Sequence, residues 1–214
     1  MKKKEEEVFS RGEKLNDKYS LYDIFTIKKA NIFWKWVDIF SCKMSRMANF
    51  YERVFSKQYT KEGKRFDLDN SHNILHIGCG SFPVTAITLS KLNGGKIVGV
   101  DKSPKAVKLA KQIINKRHLE NRIKIDIGDG STYPLNEFDT IIISSCSIPK
   151  IKILEHIFEN ANENSKIIVR EQIGISRFVS DYVKMHDNIQ LLNTMKNDPL
   201  SNNCKWESFY LVKK

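Results

Sequence analysis

The rhythm of apolar positions changes once along this chain, near residue 71. Before that point, Phe33, Trp36, Val37, Phe40, Met44, Met47, Tyr51, Val54 and Phe55 recur every three or four residues. That spacing builds one apolar stripe and predicts helix from Leu21 to about Tyr59. The stripe predicts packing on a main domain, with a lid over a site or a dimer contact as the alternatives. Residues 1–18 are charged and predict a frayed start, and Lys61 to Asn70 reads as a polar linker. After Ser71, short continuous apolar runs alternate with helical segments. Strands are expected at 73–77, 96–101, 123–127, 138–144 and 166–170, with helices from about Pro83 to Leu92, from Ser103-Pro104 to about His118, and from about Lys150 to Asn160. Pro in a first turn, Ser103 as N-cap and Asn93-Gly94-Gly95 as a stop set these boundaries. Apolar strands alternating with helices predict a parallel sheet covered on both faces. The tail from Trp206 to Val212 reads as a last strand at the sheet edge, with antiparallel pairing an option. The division expected is a helical extension over 1–70 and a main domain over 71–214.

Composition narrows the classes. The 214 residues carry 36 Lys plus Arg against 25 Asp plus Glu, a net charge of +11, which favours acidic partners such as nucleic acid, a phosphorylated substrate or an anionic membrane surface. There is no run of five basic residues; Lys102, Lys105, Lys108 and Lys111 are spaced along a solvated helical side. No stretch approaches the roughly 20 apolar residues of a bilayer span, and the basic start lacks the apolar region of a secretory signal. Cys42, Cys79, Cys146 and Cys204 form no CxxC pair, which argues against a zinc finger or a disulfide scaffold and for a reducing, cytoplasmic compartment. No metal site is expected.

The chemistry concentrates after the first strand. Gly78-Cys79-Gly80 makes a tight turn into a helix, and Asp101 ends the second strand about twenty residues later. Glycine there lets a ligand approach the backbone, the helix N-terminus offers free N–H groups, and a carboxylate at the next strand tip can accept both hydroxyls of a ribose. This describes an adenosine-containing ligand at a topological switch point. The dinucleotide fingerprint wants a third glycine where this chain has Pro83, so a pyrophosphate cofactor, and with it a nicotinamide-dependent oxidoreductase, is disfavoured. Gly128-Asp129, after the third strand, adds an acid where the adenine amine of S-adenosylmethionine would lie.

From these residues onward the chain resembles the class I S-adenosylmethionine-dependent methyltransferases, over roughly residues 71–214. The resemblance implies a Rossmann-like, doubly wound, mostly parallel sheet of seven strands whose last strand is antiparallel. It implies that Gly78 and Gly80 line the methionine moiety, that Asp101 holds the ribose, that Asp129 lies near adenine, and that Ser144 and Ser145 face the acceptor. The candidate cofactor-binding set is His76, Gly78, Cys79, Gly80, Ser81, Pro83, Thr85, Asp101, Lys102, Ser103, Gly128, Asp129, Gly130, Ser144 and Ser145. His76 and Cys79 also have plain structural readings, as a core histidine and as a small residue between glycines. Gly78-Cys79-Gly80-Ser81-Phe82-Pro83-Val84-Thr85-Ala86-Ile87 is, more narrowly, similar to the glycine segment of nicotianamine synthases, and Arg170 to Gly174 to that family's run after strand five. Those enzymes transfer the aminocarboxypropyl group of the same cofactor. That resemblance implies catalytic roles for Tyr51 and Glu52; here Ser81 replaces the family's first proline.

A sulfonium activates its own carbon, so no covalent nucleophile is required. Tyr51, Glu52, Ser145 and Glu171 are the candidate catalytic residues, with Asp139 and His156 as further bases. The leading expectation is a methyltransferase for a small-molecule, partly anionic acceptor. The alternatives are aminocarboxypropyl transfer, RNA methylation, and a non-catalytic S-adenosylmethionine-binding protein. Nucleic acid is not favoured, because no appended RNA-binding module is recognisable and Ser144 to Pro149 departs from the Asp/Asn-Pro-Pro-aromatic segment of base-amine methyltransferases.

Overall fold

The computed structural model describes residues 21–92, 94–200 and 205–214; the start at 1–18 and Cys204 lie outside them. Helices α1 (Leu21–Lys43) and α2 (Ser45–Arg65) come first. The alternation then runs β1 (Asn73–Ile77), α3 (Val84–Leu92), β2 (Lys96–Asp101), α4 (Pro104–Lys116), β3 (Ile123–Ile127), β4 (Thr140–Ile143), α5 (Lys150–Asn160), β5 (Lys166–Gln172), α6 (Arg177–Val183), β6 (Ile189–Asn197) and β7 (Trp206–Lys213). The seven strands form one sheet ordered β3-β2-β1-β4-β5-β7-β6. The first five are parallel, and β7 runs antiparallel to both neighbours. The expected α/β class and the antiparallel last strand are present.

Chain order reverses at β1, which pairs with β2 on one side and β4 on the other, so the loops leaving β1 and β4 diverge and open a crevice at their C-terminal ends. The strands are apolar on both faces because both are covered. Leu75, Ile77, Ile141 and Ile143 pack with α5 and α6, while Ile74, Ile97 and Ile142 pack with α3 and α4. Ser103 caps α4 through its hydroxyl to the Ala106 N–H, and Ala106, Val107, Ala110 and Ile114 are buried. Lys105, Lys108 and Lys111 face solvent on the opposite side, as their spacing predicted.

Three expectations are corrected. The N-terminal stripe belongs to two helices that break at Met44, and it does not all pack inward: Tyr51 and Phe55 are buried, while Phe33, Trp36, Phe40 and Met44 are exposed. The stretch read as a linker is helical to Arg65, because Glu62 on that last turn is buried against the sheet. Finally, β7 is an interior strand, since β6, which alternation alone did not reveal, pairs with its outer side and takes the edge.

Candidate functional site

The crevice holds a cavity of about 580 Å³ between the C-terminal ends of the strands and the two N-terminal helices. Its floor is the turn after β1. Gly78 and Gly80 both adopt positive φ, +74° and +70°, where an L side chain is strained. A Cβ on Gly78 would also meet the Ser147 hydroxyl at 2.1 Å, and one on Gly80 would meet Asp38 Oδ2 at 2.2 Å. The turn and the tip of β2 converge. The Gly80 N–H donates to Asp101 Oδ2 at 3.0 Å and the Ser103 N–H donates to Oδ1 at 2.9 Å. Each carboxylate oxygen retains a lone pair for a ligand hydroxyl.

The sheet side is polar. His76 Nε2 lies 2.9 Å from the Ser144 hydroxyl, while its Nδ1 is buried without a partner among the described residues. Burial, helped by the nearby Arg170 charge, pushes the His76 pKa down to about 3, so the ring is neutral. Arg170 donates to Thr85 Oγ1 at 2.8 Å and to both oxygens of Glu62, the shortest contact being 2.6 Å, and its guanidinium sits 4.1 Å over the Tyr59 ring. Burial opposes the Arg170 charge, yet Glu62 more than offsets this and holds its pKa above the ordinary value. The Ser208 hydroxyl donates to Glu62 and accepts from the Trp206 indole N–H at 3.2 Å, which completes the network.

The helix side supplies aromatic rings and one acid. Trp34 on α1 and Tyr51, Phe55 and Tyr59 on α2 wall the cavity and are joined by Trp206 from β7, with Phe55 stacked on Trp206 at 6.0 Å between centroids. Asp38 on α1 reaches down to the glycine turn, where the Ser81 N–H donates to its Oδ2 at 3.1 Å. Burial raises the Asp38 pKa to about 7, against the lowering effect of the Ser81 and Phe82 N–H groups and the Tyr51 hydroxyl; the Asp101 charge adds to the rise. Asp38 therefore stands near half-ionisation at neutral pH, the condition of an acid–base group. Among the described residues the thiols are held un-ionised: burial pushes Cys42 up to about 12, Cys146 to about 11, and Cys79 well above its ordinary value.

Of the residues expected at the site, His76, Gly78, Cys79, Gly80, Ser81, Thr85, Asp101, Lys102, Ser103, Ser144, Ser145 and Tyr51 line this cavity. The others lie elsewhere. Glu52 points away from the cavity toward α3 and the end of α4, where it pairs with Lys91 at 2.8 Å and Arg117 at 2.5 Å. Glu171 follows Arg170 on β5, so the pleat turns it to the opposite face, where it pairs with Lys150 at 3.5 Å. Pro83 sits in the turn entering α3 but off the lining. Asp129 is occupied locally by the Ser131 N–H and hydroxyl, at 2.9 and 2.7 Å. Gly128 packs against Tyr133 and Gly130 against Ile77. Asp139 accepts from the His72 and Asn73 N–H groups at the start of β1, the far end of the sheet, and His156 contacts the Tyr133 carbonyl. Asp38, Trp34, Tyr59, Arg170 and Trp206 are cavity residues that were not singled out as site residues. A signal for Asp38 did exist: it is the sole carboxylate between Ile24 and Tyr51.

Comparison with known proteins agrees with this architecture. A family model described as a methyltransferase domain matches residues 68–210. The L-histidine 2-aminobutanoyltransferase of Yersinia pestis is 25% identical over 134 residues, which are 63% of this chain and 50% of that protein. The chain thus spans about half the length of that curated relative. The crystal structure of a mutant of MtNAS in complex with S-adenosylmethionine superposes with a TM-score of 0.73 at 17% identity, covering 93% of this chain and 80% of that one. Coverage that wide takes in the N-terminal helices, which supports in structure the resemblance to nicotianamine synthases. The O-methyltransferase from Bacillus cereus in complex with SAH gives a TM-score of 0.59 at 18% identity, covering 74% of this chain and 81% of that one.

Proposed function

This chain belongs to the methyltransferase domain family, and we propose that it is an S-adenosylmethionine-dependent methyltransferase acting on a small-molecule acceptor. The observation that carries the reading is the convergence of the Gly78–Gly80 turn with Asp101 at the switch point. The residues present fit the cofactor. The two glycines add no Cβ to the turn and Asp101 keeps acceptor capacity for ribose hydroxyls, while His76 lines the cavity beside Ser144. When bound, S-adenosylmethionine supplies an electrophilic carbon beside its sulfonium.

The chain's own contribution would be orientation, exclusion of water and proton handling. The aromatic wall on α1, α2 and β7 would exclude water and hold an acceptor against the strand ends. Asp38, held near neutrality and touching the glycine turn, would accept the proton an acceptor loses, with Tyr51 fixing its carboxyl. The Lys35, Lys102, Lys105 and Lys205 side chains around the cavity favour an acceptor bearing negative charge.

Aminocarboxypropyl transfer is a second reading, favoured by one observation: the MtNAS match takes in the helical extension, while the Bacillus cereus match covers 74% of the chain. One experiment tests both. The full chain is incubated with S-adenosylmethionine and pooled small-molecule acceptors, and the spent cofactor is identified by mass spectrometry. S-adenosylhomocysteine is the expected product; methylthioadenosine would give the second reading, and absence of both products, with no calorimetric binding of S-adenosylhomocysteine, would refute the two together.

A further inference from the structure

We propose that the outward face of α1, continued onto the first turns of α2, is a docking surface for an anionic lipid bilayer. Six large apolar side chains on these two helices and the break between them are exposed: Ile32, Phe33, Trp36, Phe40, Met44 and Phe50, with Phe33 and Trp36 open by 59% and 57%. On α1 itself, Ile32, Phe33, Trp36 and Phe40 fall within an arc of roughly 100° at 100° per residue. They form one stripe rather than scattered contacts, and a contiguous exposed apolar patch marks an interaction site.

The charges around the stripe select its occupant. Lys43 and Arg46 are exposed beside these rings. The one acid between Ile32 and Phe50 is Asp38, which turns inward to the Ser81 N–H and so contributes nothing outside. Aromatic and aliphatic side chains flanked by cations alone form the pattern of a helix lying in the headgroup layer of an anionic membrane. A second copy fits less well, because two-fold pairing would set these cations against their own counterparts with no acid to meet them. The contact would be peripheral: among the described residues no helix is long and apolar enough to cross a bilayer. Trp34, Asp38 and Ile39 on the same helix wall the cavity, so α1 would be shared between the lipid surface and the site.

Flotation of the full chain with vesicles tests this. Binding is expected to vesicles of equimolar phosphatidylglycerol and phosphatidylcholine, and to be at least roughly tenfold weaker on phosphatidylcholine alone. The Phe33→Ser/Trp36→Ser/Phe40→Ser variant should lose binding while its circular dichroism is unchanged, since the three side chains are solvent-exposed. The Lys43→Glu/Arg46→Glu variant should weaken it comparably with the stripe intact. The proposal is overturned if the wild-type chain does not float with the anionic vesicles, if both compositions bind equally, if either variant floats as well as wild type, or if light scattering shows a dimer that Trp36→Ser dissociates. The last result would assign the face to a second copy. None of these outcomes depends on the activity of the cavity.

Discussion

Two buried ion pairs lie back to back across β5. Arg170 points to the cavity face and meets Glu62, whereas Glu171, its neighbour, points to the other face and meets Lys150. All four residues are less than a tenth exposed, yet the pairs differ in how they tolerate burial. Arg170 cannot shed its proton, so its charge is neutralised by a bidentate partner and by Thr85. Lys150 and Glu171 can each become neutral, and burial moves both that way, lowering the lysine and raising the carboxyl. The Lys150 ammonium also donates to the Ser144 and Arg170 carbonyls, at 2.6 and 3.1 Å, and so ties the start of α5 to the strand ends. On the cavity side the arginine keeps its proton beside its partner, and the far-side pair acts as a clamp that can discharge.

The sharpest way to break this comparison is Glu62→Ala, which strands the Arg170 charge in the interior. We expect a loss of about 3–5 kcal/mol in urea unfolding. Lys150→Ala should cost less, about 1–3 kcal/mol, because Glu171 can take up a proton; equal losses would refute the distinction. The Lys150→Ala deficit should also depend on pH. A carboxyl whose folded pKa lies above its unfolded value binds more protons when folded, so the variant should lose stability as pH rises above the ordinary carboxyl range. Urea melts at pH 4 and pH 8 read this directly.

At the cavity floor, Asp101→Ala should weaken S-adenosylhomocysteine binding by about 1–3 kcal/mol in calorimetry, while unchanged affinity would detach Asp101 from the ligand. Asp38 gives a pH-dependent signal of defined sign. Its folded pKa of about 7 stands above the unfolded 3.8, so its contribution to stability is present at low pH and is lost as pH rises between about 4 and 7. Asp38→Asn should remove that segment of the stability-versus-pH curve, and a variant curve parallel to wild type would mean that Asp38 is not held protonated. Smallest of all, Glu52→Gln should cost about 0.5–1 kcal/mol and leave ligand affinity unchanged, as fits a partly exposed pair outside the cavity.

What the sequence alone determined was everything governed by near neighbours. Continuous apolar runs gave the parallel strands, Ser103-Pro104 gave the start of α4, and two glycines beside a strand-end acid gave the turn that Asp101 meets. These features are local because strand burial, capping and positive φ are each decided within a few residues. Tertiary structure alone decided the rest. Asp38 lies forty residues before Gly78 and reaches Ser81 only because α1 folds back over the turn. The N-terminal stripe could not announce which half would be buried, because helical periodicity is the same for a packed face and an open one. Arg170 and Glu171 read as equivalent charges on one strand until β5 found its neighbours and its pleat sent one to the cavity and the other away. Long-range contacts carry no mark in the spacing of residues along the chain; they arise when separate elements compete for the same buried surface, and the outcome of that competition made the site.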